Sequence, residues 1–468
     1  MNAQRVGLFG GLAVFVAMLL FPAPAAMSPA AWHVAALTIL MATWWMTQAV
    51  PLTATALLPF LALPVMDVMD VKATASQYYS PILFLILGGA FLALAIERVG
   101  LHRRLALAIV SMAGKSAWGI LFAFMIATAL LSMLISNTSS TLIMIPIAVA
   151  VLVAGGIKDR ETEGFAGALI MGVAFAASIG GLGTLVGSPT NAIAAGLINK
   201  TLGMDIDFLS WLKFGLPIVI IGIPVCAAIL ITVQKVGKHS FDGVGVKAAI
   251  GSPGPWSIPE KRVVPVVAIV VLGWLFLPQI KAVLPDGAVH DGSIAILGGL
   301  LLFMLPDGTG RRLLNWDEAD RAPWGVIMMF GGGLALAAGI IESGLADWLG
   351  LALAPLKNVP VIVIAVALVA LVILVTEFAS NVATASGIMP VVASLILATG
   401  VDPVLLAMPA AMAASWGFML PSGTGPNAIA WSTKHIELPK MLKSGFVLDL
   451  AGIPIIIGCI WMVSFVIS

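Results

Sequence analysis

Two short polar runs lie inside otherwise apolar segments and carry side chains that could bind ions. The first, ISNTSSTL, contains Ser136, Asn137 and Thr138, and the second, FASNVATA, contains Ser380 and Asn381. Hydroxyl and amide oxygens are ligands for hard cations, whereas the hydrogens of the same groups can donate to an anion. A single polar cluster often serves only to tie helices together. Two matched clusters favour a binding site for ions.

Glycine and proline break two further apolar segments, GGLGTLVGSPTN at 180–191 and PSGTGPN at 421–427. A non-helical backbone at membrane depth is tolerated only where protein or water satisfies its polar groups. A broken helix exposes N–H groups that attract an anion and carbonyl groups that coordinate a small cation.

Each polar run is expected to face one of these breaks. The first run would lie opposite Gly187 and Ser188, and the second opposite Gly423 and Thr424. Together they predict sites for monovalent cations beside a shared anionic substrate.

The composition places these motifs in a lipid bilayer. Of 468 residues, 60% are hydrophobic and 10% are charged, and the mean hydropathy is +1.10. This is more apolar surface than a soluble chain of this length could bury. The net charge of +1, without blocks of like charge, argues against a nucleic acid partner. No metal cluster, cofactor or catalytic constellation is expected, so the chain is not predicted to be an enzyme.

The apolar segments predict an all-α polytopic membrane protein with about eleven transmembrane helices. Two segments, 117–153 and 359–396, exceed the roughly 20 residues of a straight span and carry the polar runs in their middle. Each is therefore predicted to be a re-entrant hairpin. Segments 164–198 and 404–432 are the two predicted broken helices. The run 6–21 resembles a signal peptide but is taken as the first span, because many spans follow.

The distribution of Lys and Arg predicts the orientation. With a cytoplasmic N-terminus and hairpins that do not cross, roughly eighteen basic residues lie on the cytoplasmic face and about five on the other. This predicts a multi-pass protein of the bacterial inner (plasma) membrane with its C-terminus outside. The polar stretch 235–261 is the predicted cytoplasmic connector between two halves.

The two halves share three segments in the same order. LGGAFLALAIERVGL at 87–101 parallels FGGGLALAAGIIESGL at 330–345, the two Ser-Asn pairs match, and GSPTNAIA at 187–194 parallels GTGPNAIA at 423–430. Basic residues flank the first hairpin, whereas the surroundings of the second are poor in charge. The pattern predicts an inverted repeat, which many secondary transporters share.

Three acids lie within apolar segments, and a fourth, Asp449, is placed nearer a membrane edge. Glu97 and Glu342 hold similar places in the repeat and are interpreted as interfacial caps or scaffold partners. Glu377 lies four residues before Asn381. It could carry a proton, although a hydrogen-bonding role behind the site is favoured. No basic residue lies near the motifs, so an anion would be held by neutral donors, helix ends and bound cations.

At these motifs the sequence resembles the divalent-anion sodium symporter family, whose signature is a Ser-Asn-Thr motif in each hairpin tip. Here the motifs read SNT at 136–138 and SNV at 380–382, and the resemblance covers essentially the whole chain. It implies one sodium site at Ser132, Ser136, Asn137 and Gly187, and a second at Thr376, Ser380, Asn381 and Gly423. It also implies a substrate site formed by Ser136, Asn137, Thr138, Ser188, Pro189, Ser380, Asn381, Val382, Thr424 and Gly425. Val382 departs from the motif because it has no hydroxyl to donate, so substrate choice can differ from that of carriers with threonine there.

The family is similar to homodimeric elevator carriers, in which a transport domain slides against a dimerising scaffold. By this analogy, residues 1–113 are scaffold helices and a first arm helix, and 262–358 are the scaffold of the second repeat. The transport domain comprises 114–234 and 359–468, each with a hairpin, a broken helix and a following helix, and 235–261 connects the halves.

The resemblance implies a secondary active transporter that imports C4-dicarboxylates such as succinate, malate and fumarate, coupled to sodium. The expected partners are the dicarboxylate anion, sodium, the lipid bilayer and a second copy of the chain. A sodium-independent dicarboxylate exchanger, a sulfate or citrate carrier and a proton-coupled carrier remain alternatives. A channel is less suited to two inverted broken-helix sites.

Overall fold

The computed structural model describes residues 3–24, 26–113, 116–157, 161–162, 164–237 and 254–467. Over these ranges the chain is helical, and its one β feature is an isolated bridge between Pro306 and Arg312. The all-α prediction is confirmed. Most of the predicted connector, residues 238–253, lies outside the described residues.

The first half of the chain forms helices α1 to α12. They are α1 (Ala3–Leu20), α2 (Pro29–Thr47), α3 (Leu52–Thr55), α4 (Leu58–Val65), α5 (Val71–Gln77), α6 (Pro81–Val99), α7 (Leu101–Ser111), α8 (Ala117–Ser132), α9 (Asn137–Ala154), α10 (Phe165–Gly181), α11 (Pro189–Leu202) and α12 (Phe208–Val233).

The second half forms helices α13 to α23 and a 3-10 turn at Ala354–Asn358. They are α13 (Ile258–Leu275), α14 (Leu277–Val283), α15 (Asp291–Met304), α16 (Trp316–Ala319), α17 (Trp324–Glu342), α18 (Leu345–Leu353), α19 (Val361–Phe378), α20 (Asn381–Thr399), α21 (Pro403–Ala413), α22 (Gly425–Ser432) and α23 (Leu438–Ile467).

The predicted hairpins and breaks fall where the polar motifs lie. Helices α8 and α9 are separated by a turn that ends at Ser136, and α19 and α20 by a turn that ends at Ser380. The first broken helix is α10 and α11, and the second is α21 and α22. The structure has a helix–turn–helix at each polar run and an irregular segment between two helices at each predicted break. That the hairpins re-enter a membrane and that the helix pairs span it stay predictions.

A glycine in the left-handed conformation joins a long helix to a shorter one in each half. Gly100, with φ 79° and ψ 10°, lies between α6 and α7, and Gly344, with φ 77° and ψ 9°, lies between α17 and α18. Glycine adopts these angles without the strain that a side chain would introduce. Helix α7 then packs against hairpin helix α8, and α18 against hairpin helix α20. In each half, a left-handed glycine therefore connects a long helix to a short helix that packs against a hairpin.

Among the described residues, eight helices are long and apolar enough to cross a membrane, and α13 with α14, bent by 74°, would make a ninth. This is fewer than the predicted eleven spans. The shortfall arises because several apolar helices are too short to qualify, among them α15 and, in the predicted broken helices, α10 and α21. The structure is nonetheless that of a multi-pass membrane protein.

The second part of each broken helix packs against the hairpin of the opposite half. Helix α22 lies against α9 and α10, and α11 lies against α20. Both contacts sit within an apolar core of buried residues. The fold therefore brings the two polar runs to one region of the molecule, although they are more than 200 residues apart in sequence.

Candidate functional site

The serine of each polar run caps a helix. The Ser136 Oγ accepts a hydrogen bond from the N–H of Ser139 at 3.1 Å. In the second half, the Ser380 Oγ accepts from the N–H of Ala383 at 3.2 Å. Serine is a preferred N-cap because its short side chain satisfies an otherwise unpaired N–H. The asparagine after each serine is therefore the first residue of a helix, at its partially positive end.

The Asn137 side chain lies in a group of oxygen atoms from three elements. The Ser132 Oγ is 2.6 Å from one end of the Asn137 amide and 2.6 Å from the Ala177 carbonyl oxygen. The same end of the amide is 3.2 Å from the carbonyl oxygens of Ala177 and Gly187. With its nitrogen at this end, the amide donates to the carbonyls. With its oxygen there, it adds another ligand to the group.

This group joins three of the four residues predicted for the first sodium site, and the fourth, Ser136, is the neighbouring cap. Glycine at positions 181 and 187 permits the backbone there to lie close to Asn137 and Ser132. A Cβ at Gly181 would lie 2.1 Å from the Asn137 Oδ1, and one at Gly187 would lie 2.8 Å from the Ser132 carbonyl oxygen. Both distances are far shorter than a van der Waals contact, so this backbone geometry requires glycine.

The second half repeats the arrangement. The Thr376 Oγ1 lies 2.9 Å from the Asn381 Oδ1 and 2.7 Å from the Ala414 carbonyl oxygen at the end of α21. Thr376 is fully buried. Gly423 approaches a different neighbour, since a Cβ there would lie 3.5 Å from the Glu377 carbonyl oxygen. The structure thus brings Thr376 and Asn381 together and adds the Ala414 carbonyl.

Both broken helices resume at a residue with a hydroxyl group. The Ser188 Oγ accepts from the N–H of Thr190 at 3.3 Å, and the Thr424 Oγ1 accepts from the N–H of Asn427 at 3.2 Å. Both hydroxyl residues are buried. The breaks therefore present capped, partially positive helix ends inside the protein.

A predicted substrate residue of the second half, Gly425, lies against one of the first half, Thr138. A Cβ at Gly425, the first residue of α22, would lie 2.6 Å from the Thr138 Oγ1. Pro189 is the first residue of α11, which packs against α20. Val382 on α20 is half-buried and packs against the apolar core. At this position the second half offers an apolar surface where the first half offers a hydroxyl.

Glu377 lies buried behind the second polar run. Its carboxylate accepts hydrogen bonds from the N–H groups of Met419 at 2.8 Å and Leu420 at 2.9 Å. The predicted hydrogen-bonding role is confirmed, because the side chain fixes the backbone just before the break. Asp449 lies beside the Glu377 carboxyl and is buried. Asp449 lies twelve residues into α23, which begins at Leu438, and its position near a membrane edge stays a prediction.

A cleft of about 210 Å³ opens beside the first hairpin tip. Ser136, Ser188 and Pro189 line it on one side, and Glu97 and Arg321 line it as well. The expectation that no basic residue lies near the motifs is therefore wrong. Arg321 is distant in sequence from both polar runs and reaches the cleft through the loop between α16 and α17.

A second hollow of about 320 Å³ continues from the cleft. It shares Glu97, Ser139 and Arg321 with the cleft and adds His102. The predicted residues of the second half, Ser380 and Thr424 among them, are not part of the lining described for either space.

The sequence matches a known family of membrane transport proteins. The profile described as "Sodium:sulfate symporter transmembrane region" matches residues 2–467. The chain belongs to this symporter family. The family predicted from the two hairpin motifs is thereby confirmed.

The symporter-family chain is similar to two curated relatives over nearly its whole length. It is 40% identical to the sodium-dependent dicarboxylate transporter SdcS of Staphylococcus saprophyticus, over 97% of this chain and 90% of the relative. It is 39% identical to SdcS of Staphylococcus aureus strain USA300, over 98% of this chain and 91% of the relative. Among solved structures, the YdaH transporter of Alcanivorax borkumensis has a similar fold, with a TM-score of 0.54 at 15% identity, over 92% of this chain and 98% of that one.

Two buried asparagines beside the candidate site of this symporter-family chain, Asn191 and Asn427, were not predicted from the sequence. The Asn191 Nδ2 donates to the carbonyl oxygens of Gly181 at 2.7 Å and Thr184 at 2.8 Å, and the Asn427 Nδ2 donates to that of Leu420 at 3.1 Å. They satisfy carbonyl groups freed where the helices break. Both lie in the matched NAIA segments, and that repetition was the signal that could have identified them.

Proposed function

We propose that this protein imports C4-dicarboxylates such as succinate, malate and fumarate, coupled to the inward movement of sodium. The two SdcS relatives are named sodium-dependent dicarboxylate transporters, and the similarity extends over 97% and 98% of this chain. Similarity on this scale includes both hairpins and both broken helices, which favours shared chemistry.

The single observation that carries the proposal is the matched pair of hydroxyl and amide groups at the hairpin tips. Ser132 with Asn137, and Thr376 with Asn381, each contact a main-chain carbonyl of the opposing broken helix. Uncharged hydroxyl, amide and carbonyl oxygens suit a hard cation such as sodium. The first sodium site would also use Ser136 and Gly187, and the second Ser380 and Gly423.

The substrate site would lie between the two hairpin tips. Helix ends at both tips and both breaks offer N–H groups, and bound sodium ions would add the positive charge that a dianion requires. The donors would be Asn137, Thr138, Ser188, Asn381 and Thr424, with Ser136 and Ser380 beside them and Pro189, Val382 and Gly425 shaping the space. The apolar surface of Val382 suits the carbon chain of a dicarboxylate better than its carboxylates.

The proposed mechanism is an elevator movement of an inverted-repeat transport domain within a homodimer. The matched left-handed glycines at Gly100 and Gly344 support it, because each turns the chain from a long helix into one that packs on a hairpin. Residues 114–234 and 359–468 would move, and residues 1–113 and 262–358 would form the scaffold. The N-terminus would be cytoplasmic and the C-terminus outside the bacterial inner membrane.

Uptake of radiolabelled succinate into proteoliposomes tests this function. Sodium, potassium or choline is placed outside, with unlabelled succinate inside or absent. Uptake that requires an inward sodium gradient supports the proposal. Sodium-independent uptake that requires internal succinate identifies an exchanger, and failure of succinate with uptake of sulfate or citrate identifies a different substrate. Uptake driven by a proton gradient alone contradicts sodium coupling.

A further inference from the structure

The cleft beside the first hairpin tip contains two opposite charges that the proposed sites do not use. Among the residues that line it, Glu97 and Arg321 are the charged ones, and the remainder are apolar or carry hydroxyl groups. Both charges belong to the predicted scaffold, at the end of α6 and just before α17. They face the same space as Ser136 and Ser188, which are predicted substrate contacts.

Arg321 has its charge available for a ligand. Within the described part of the chain, the one hydrogen bond of its side chain runs from Nε to the Glu318 carbonyl oxygen, at 3.4 Å, and the side chain has no ion pair. The Glu318 carboxylate is already engaged by Arg311 at 2.6 Å and by Arg98 at 3.4 Å. Arg321 is exposed, so its guanidinium can reach an anion in the cleft.

The nearby Arg98 is held elsewhere. Its guanidinium pairs with the buried Asp307 and donates to the carbonyl oxygens of Arg312 at 3.1 Å and Leu313 at 2.7 Å. These bonds fix the end of α6 to the loop between α15 and α16. Of the two arginines that line the adjoining hollow, Arg321 is therefore the one free to contact a substrate.

We propose that Arg321 and Glu97 form a charge-selective mouth for the substrate site, in which Arg321 contacts a carboxylate of the dianion and Glu97 opposes it. The inference rests on the proposed function and deepens it. A guanidinium offers paired donors that match a carboxylate, whereas a carboxylate at the same mouth repels the ligand. The two residues therefore have opposite effects on affinity for a dianion.

The test is equilibrium binding of radiolabelled succinate to the purified protein in saturating sodium. Arg321→Gln is expected to raise the Kd by about fivefold. This is less than the loss expected for a buried ion pair, because the guanidinium is exposed and solvent screens its charge. Glu97→Gln is expected to lower the Kd, and Arg321→Lys to retain part of the affinity. Lys261→Gln removes an exposed charge outside the lining of the cleft and serves as the matched control. Added choline chloride should reduce the difference between wild type and Arg321→Gln.

If the Kd for succinate rises in Arg321→Gln, falls in Glu97→Gln and is unchanged in Lys261→Gln, the charge-selective mouth is supported. Shifts in the same direction, or Arg321→Gln behaving as Lys261→Gln does, overturn it. If the wild type does not bind succinate in sodium, the proposed substrate is wrong. The same variants are then compared with sulfate and citrate, for which the predicted signs are unchanged because both are multivalent anions.

Discussion

Gly181→Ala tests whether the Asn137 amide must occupy its observed position. The new methyl carbon would lie 2.1 Å from the Asn137 Oδ1, 2.8 Å from its Cγ and 2.9 Å from its Nδ2. Every heavy atom at the end of this side chain is thus too close, and Asn137 must move. Helical backbone at position 181 accepts alanine readily, so the effect comes from the collision alone.

The cost of such overpacking is about 1–3 kcal/mol. If sodium binding requires Asn137 to return, the sodium affinity falls by the same free energy, which corresponds to roughly fivefold to hundredfold. The assay is the sodium concentration that gives half-maximal succinate uptake in proteoliposomes. Adding Asn137→Ala to Gly181→Ala should recover thermal stability without recovering uptake, because the collision disappears together with the ligand.

Gly387→Ala and Gly458→Ala are the matched controls. Both glycines lie in helices and have open space where the methyl group would go. These variants should keep the wild-type sodium dependence. A Gly181→Ala protein with unchanged sodium dependence would refute the assignment of Asn137 as a ligand held in this geometry.

Three further predictions concern other contacts of the fold. Gly425→Ala should lower succinate affinity several-fold in a binding assay, because its methyl carbon would lie 2.6 Å from the Thr138 Oγ1. Adding Thr138→Ala should relieve the crowding and recover thermal stability, but not affinity, because Thr138 is itself a proposed donor. Glu377→Gln weakens two hydrogen bonds to the backbone. It should reduce uptake and raise the sodium concentration that gives half-maximal uptake. Reduced uptake with an unchanged sodium dependence would indicate proton transfer instead. Burial alone would raise the pKa of Asp307, but hydrogen bonds from Arg98 and Thr309 outweigh it and hold that pKa well below its usual range. The stability from ionised Asp307 is therefore present above the unfolded-state pKa of about 4 and is lost as the pH falls below it. Asp307→Asn should lower the Tm at neutral pH by several degrees, since it breaks a buried ion pair, and the difference from wild type should shrink in acid.

The helix boundaries at the site could be predicted because they follow local rules. A serine before an asparagine in a long apolar segment is a cap signal, and Ser136 and Ser380 both cap helices. Closely spaced glycine and proline mark the breaks between α10 and α11 and between α21 and α22 for a similar reason, since both residues end helices.

Contacts between distant segments could not be predicted in the same way. Arg321 lies in a polar loop that resembles any interfacial connector, and tertiary packing, in which α16 lies against α6, brings it to the cleft that Ser136 also lines. The contact of Asp449 with Glu377 likewise joins residues that are 72 positions apart in the sequence. The approach of Gly425 to Thr138 depends on α22 crossing to α9, and no local pattern encodes that crossing.

The measurement that tests the central claim most directly is sodium-driven succinate uptake by Asn137→Ala and Asn381→Ala, compared with wild type and with a variant at the exposed Asn358. If each half supplies one cation site, both single variants lose uptake driven by an inward sodium gradient, while Asn358→Ala transports as wild type does. Wild-type uptake and sodium dependence in either Asn137→Ala or Asn381→Ala would contradict a site built from both halves.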